Sequence, residues 1–240
     1  MEAGSIEDWV QINAFVTQAS YSVAKVWGAL RGALEDSDLL AEGVKVRGEG
    51  ISRDVRPMPL DRVDAVLRRL DGKIQHFYGN SRANVRGVIS YHFTISAVSG
   101  FSITFRHGLR LRRWESLISR LAETLEFTNA ATRYSAYAAL LHPKWNRARG
   151  NVWTVPSFVK SRLDYGLMVS EQMWLGEAFW KFAACRKEDV TACDWLKCEE
   201  HPGFLKVTAW PEPFSSAEGE QGEIQHRLLT LLYGITGDPE

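Results

Sequence analysis

Apolar and polar residues alternate from Trp9 to Val16, with Val10, Ile12, Ala14 and Val16 on one side, and this pattern predicts a β-strand. The spacing then changes. From Ser20 onward Val23, Val26, Trp27, Leu30 and Leu34 recur at helical spacing, the apolar stripe of an amphipathic helix that ends near Glu35-Asp36-Ser37-Asp38. Residues 41–59, rich in Gly, Pro and charge, read as an exposed connection. A second helix begins at Asp61 and buries Val63, Val66, Leu67 and Leu70. Asp71-Gly72 closes it behind arginines that suit the negative end of a helix dipole.

The stretch Val88–Ile95 places Ile89, Tyr91, Phe93 and Ile95 on one face, and Phe101–Phe105 repeats the alternation after Ser99-Gly100, so the two form an antiparallel hairpin. Trp114, Leu117, Ile118, Leu121 and Leu125 mark the next helix, with Arg113, Glu115, Arg120 and Glu123 on its wet side. Segment 130–160 carries Tyr134, Tyr137, Trp145 and Trp153 and is broken by His142-Pro143 and Pro156; it reads as helix remnants and loops. Asp164–Val169 reads as a short strand. Ser170 then caps a helix with Trp174, Ala178 and Phe182 on one face. A second hairpin pairs Asp194–Cys198 with Gly203–Trp210 and turns through Glu199-Glu200-His201-Pro202. A final helix from about Gly219 presents Ile224, Leu228, Leu231 and Leu232.

Strands and helices in that order predict an α+β fold of antiparallel sheet hairpins with helices packed mainly on one face. The 240 residues fit one domain over 1–240, whose two halves echo each other in element order and meet near 130–160 without a sequence repeat.

Composition adds a charge pattern. The formal net charge is zero, which offers no overall attraction to nucleic acid or anionic membrane. The distribution is uneven. Residues 1–40 hold 2 basic against 6 acidic residues, residues 41–160 hold 20 against 9, and residues 161–240 hold 7 against 14. The middle is therefore basic and the last third acidic. The apolar runs fall short of a membrane-spanning helix, and the first eight residues are acidic where a signal peptide is basic, so the expected location is the cytoplasm. Cys185, Cys193 and Cys198 lack the paired short spacings of a zinc ribbon or a redox pair and read as reduced thiols.

The spacings that catalysis requires are missing. Gly43, Gly48 and Gly50 make neither common nucleotide fingerprint, and there is no GxSxG elbow, HExxH pair or CxxC. Asp36-Ser37-Asp38 offers oxygen ligands but reads as a solvated helix end. His92 and His107 near Tyr91 have the residue types of an acid–base site but no identified third partner. Asp189, Asp194 and Lys197 resemble the carboxylate–lysine set of metal-dependent nucleases, yet the last acid stands three residues before the lysine rather than two. The expectation is no enzyme and no cofactor.

Arg106, Arg110, Arg112, Arg113 and Arg120, near aromatic residues, are either a nucleic-acid surface, a solvated face or the mate of the acidic third. Nine tryptophans, many in the last hundred residues, stand beside that acidic third. Most must be core, but aromatic anchors within a charged rim are how protein interfaces are built.

The chain resembles the immunity protein 52 family, bacterial toxin-neutralising proteins that include TsiT-like antitoxins of type VI secretion systems. The resemblance lies in Val26-Trp27-Gly28, the hairpin Val88–Phe105, the Trp114-led helix and Leu141-His142-Pro143-Lys144-Trp145. It continues through Asp164–Val169 and Phe204–Thr208 leading to Pro211-Glu212-Pro213-Phe214. It implies an antitoxin whose partner is a secreted effector, often a restriction-endonuclease-fold DNase, blocked at its active site or in its assembly. On that implication an acidic surface suits a basic, DNA-binding toxin. Asp189, Asp194, Glu199, Glu200 and Glu212 are then the expected rim contacts and Trp195 and Trp210 the anchors. A nucleic-acid-binding module using the basic middle, and an enzyme of unrecognised class, stay open as alternatives.

Overall fold

The computed structural model describes residues 9–36, 43–48, 57–70, 76–81, 91–96, 100–106, 114–134, 169–214, 216 and 218–234. Its strands are β1 (Trp9–Val16), β2 (Gly43–Gly48), β3 (Met58–Pro59), β4 (His76–Ser81), β5 (Tyr91–Ser96), β6 (Gly100–Arg106), β7 (Phe127–Tyr134), β8 (Gln172–Gly176), β9 (Lys197–His201) and β10 (Phe204–Thr208). They form one ten-stranded sheet in the order β3-β2-β4-β5-β6-β1-β7-β8-β10-β9. Every pairing in it is antiparallel. The helices are α1 (Val23–Asp36), α2 (Leu60–Leu70), α3 (Trp114–Thr124), a 3₁₀ helix at Glu177–Lys181, a short α4 (Lys187–Thr191) and α5 (Gly219–Tyr233). The class is α+β.

Successive strand residues point to opposite faces, and the two faces of this sheet have separate cores. Ile12, Ala14, Ala130, Trp174 and Phe204 share one core with the apolar stripes of α1, α2 and α3. Their alternating neighbours Ala131, Met173, Leu175, Leu205 and Val207 share the other with Phe179, Val190 and the buried side of α5. Three of the four longer helices thus cover one face. The fourth covers the opposite face at the C-terminal end of the sheet.

α1 buries Val23, Val26, Trp27, Leu30 and Leu34, with Ala29 and Ala33 where the stripe passes close to its neighbours. Each large apolar side chain buried in this way contributes about 1.5–3 kcal/mol before entropy is charged. Polar contacts fix the helix's neighbours. Asp64 of α2 accepts a hydrogen bond from Trp27 Nε1 at 2.7 Å and pairs with Arg31. At the C-terminal end Asp36 pairs with Arg120 of α3 at 3.0 Å and accepts the Ser116 hydroxyl.

Several expectations need correction. The connection expected over 41–59 contains β2 and β3, because Val44 and Val46 are buried between polar neighbours. β7 occupies 127–134, where loops and helix remnants were expected to begin at 130. The helix expected from Ser170 is instead β8 followed by the 3₁₀ helix; Trp174 is a strand residue, and Met173, Trp174 and Leu175 are all buried because this strand has a core on each face. The final hairpin is real but shifted. Glu199, Glu200 and His201 lie in β9, the turn is Pro202-Gly203, and Asp194-Trp195-Leu196 precede the strand. Gly203 adopts φ +84°, which L side chains rarely do. Val88–Ser90, Leu141–Trp145 and Asp164–Met168 lie outside the described residues, as does all of 135–168.

Candidate partner-binding surface

The seven residues singled out by sequence all fall on one described stretch, 186–212, which wraps the open end of the sheet. Asp189 sits in the first turn of α4 and serves that helix. Its carboxylate accepts the Arg186 backbone N–H at 2.8 Å and the Arg186 guanidinium at 3.4 Å. These contacts, the backbone N–H first, hold its carboxyl below the usual carboxylate range.

Glu199 and Glu200 are neighbours in a strand and so project to opposite faces. Glu199 shares the α3 face with Lys197 and Lys206. Lys197 Nζ lies 3.0 Å from it, and this hydrogen bond, with the Lys206 ammonium behind, holds the Glu199 carboxyl below the usual carboxylate range. Lys206 itself pairs with Glu115 of α3 at 2.6 Å. Glu200 faces the other side, where Lys187 of α4 reaches it at 3.3 Å. The two acids therefore do not make one patch.

Asp194 and Glu212 are exposed. Trp195 is half-buried against the α5-side core, and the Arg227 guanidinium of α5 stacks over its ring at 4.1 Å from the centroid. Trp210 is also half-buried, just after β10. Sequence reasoning missed Glu220 and Glu223, exposed on α5. Among the described residues no ion pair holds Glu212, Glu220 or Glu223, in contrast with the neutralised Asp189, Glu199 and Glu200. The signal was present: from Val207 to His226 the chain has four acids and no Lys or Arg.

The three thiols form no disulfide and are half-buried. Burial pushes Cys185 up to about 11, with Asp189 and Cys193 adding to the shift, and burial likewise raises Cys198. Cys193 donates to the Asp189 carbonyl at 3.3 Å. The nuclease-like set is not assembled: Asp189 is committed to Arg186 and Lys197 to Glu199. Among the described residues no group of three or more His, Cys, Asp or Glu side chains is placed to hold a metal ion.

The basic middle is only partly described. Arg120 is taken up by Asp36. Arg106 and His92 lie in β6 and β5, whereas Arg110, Arg112, Arg113, His107, Ser37 and Asp38 fall outside the described residues. Within those residues no helix is long and apolar enough to cross a membrane.

Together these features define an antiparallel α+β protein whose C-terminal end presents half-buried tryptophans among carboxylates. No family model and no curated protein matches the chain. Its fold is similar to that of a Pseudomonas aeruginosa T6SS protein, with a TM-score of 0.52 and 11% sequence identity over 94% of this chain and 73% of that one. At that identity the likeness is one of fold.

Proposed function

We propose that this chain is an immunity protein that binds and neutralises a cognate type VI secretion effector, a basic nuclease, and acts by binding rather than by turnover. The observation that carries the reading is the shared fold with a T6SS protein over nearly the whole chain. The resemblance in pattern to the immunity protein 52 family points the same way. The surface chemistry fits such a partner. Glu212, Glu220 and Glu223 offer exposed carboxylates where a nuclease expects phosphates, and half-buried Trp210, two residues before Glu212, supplies rigid aromatic area.

The test is co-expression in bacteria with the polypeptide encoded by the adjacent gene. Growth arrest by that polypeptide, relieved when this chain is present, supports the reading. Continued arrest in the presence of abundant folded chain rejects it.

A further inference from the structure

The sheet ends differently on its two sides. At one end β3 is two residues long, and its second residue, Pro59, has no N–H to donate, a blunted edge of the kind that resists strand addition. At the other end β9 runs for five residues, and its Lys197 and Glu200 side chains are 75% and 69% exposed. No strand pairs beyond β9 among the described residues.

The register shows which backbone groups that edge offers. A two-residue turn closes on a hydrogen-bonded pair, here His201 with Phe204. Alternating from there, Lys197, Glu199 and His201 direct their N–H and C=O groups at β10, while those of Cys198 and Glu200 point away from the sheet. Outward donors and acceptors repeating every second residue, roughly 7 Å apart, are matched by another extended backbone.

Charge narrows the choice of strand. Glu200 occupies one outward-facing position and is 69% exposed in its pair with the half-buried Lys187, a solvated contact weak enough to be exchanged for another cation. Glu199, on the opposite face, is already held by Lys197 and Lys206. We infer that the effector docks by adding an extended segment to β9, with a basic side chain of that segment meeting Glu200. The inference rests on the antitoxin reading and names the way its partner is held.

The experiment uses the full chain and, as probe, the purified polypeptide encoded by the adjacent gene. Amide hydrogen exchange of the chain alone and in the complex should show new protection at Cys198 and Glu200. Glu200→Pro removes an outward N–H while leaving the bonds to β10 intact, so it should weaken binding by roughly 100-fold; Glu200→Ala keeps the N–H and should stay within about tenfold. Unchanged exchange at both amides, or wild-type binding by a folded Glu200→Pro, overturns strand addition while the antitoxin reading stands. Should Glu200→Pro fail to fold, the exchange data decide alone. If the wild-type chain does not bind the probe at all, the antitoxin reading falls and the docking mode with it.

Discussion

Gly176 ends β8 where that strand passes Phe127 of β7, and the side-chain-free backbone is what permits the approach. A Cβ there would stand 2.2 Å from the Phe127 carbonyl oxygen, 2.6 Å from its Cδ1 and 2.9 Å from its carbonyl carbon. Ordinary contact begins at 3.4 Å, so Gly176→Ala requires the strands to separate by about 1 Å, and the obstacle is backbone rather than the end of a flexible side chain. Overpacking usually costs 1–3 kcal/mol, and this case belongs at the top, about 3 kcal/mol. At the urea sensitivity of a chain this size, the midpoint should fall by roughly 1 M with little change of slope. Gly28 in α1 supplies the contrast: a Cβ there meets nothing within 4 Å, and Gly28→Ala should stabilise by about 1 kcal/mol. Equal midpoints for Gly176→Ala and wild type would refute the close approach. The consequence reaches function, because β8 carries β10 and β9, and the variant should also bind its partner less tightly.

Three further outcomes are expected. Asp64→Ala leaves the indole N–H of Trp27, 2% exposed, without its carboxylate and should lower stability by about 2–3 kcal/mol, whereas Asp64→Asn, which keeps an acceptor, should lose less; thermal melts decide. The folded Asp189 carboxyl is more acidic than its ordinary value of 3.8, so its cap on α4 is present above that pH and is lost as pH falls through the lower folded value. An NMR titration should show the Arg186 amide shifting with it, and a midpoint at or above 3.8 would contradict the contact. Cys185, pushed up to about 11 from 9.0, should alkylate at pH 8 about 100-fold more slowly in the native protein than in denaturant. Equal rates would refute its burial.

The elements read most directly from sequence were those with one buried face. β1, α1, α2, α3, the β5–β6 hairpin and α5 each combine a periodic apolar set with a polar opposite face, and each forms where the periodicity placed it. β8 was misread because a strand with a core on both faces has no alternation to detect, and Met173-Trp174-Leu175 fits a helix as well as a strand. β2 was hidden by its glycines and charges, though Val44 and Val46 alternate correctly.

The candidate surface was legible as a set of acids but not as a geometry. Lys187 is 13 positions from Glu200 in the chain, and nothing local announces that it will neutralise that glutamate. Placing Glu199 and Glu200 in a turn let them share a face; the strand begins at Lys197 rather than Asp194, which puts both glutamates inside it and on opposite faces.

The measurement that bears most directly on the account is titration calorimetry of the purified chain against the polypeptide encoded by the adjacent gene, at low and high salt. A one-to-one complex is expected, with an affinity that falls with salt and falls again when Glu212, Glu220 and Glu223 are reversed to lysine in a folded protein. No heat of binding at low salt, or an affinity indifferent to both salt and charge reversal, would contradict it.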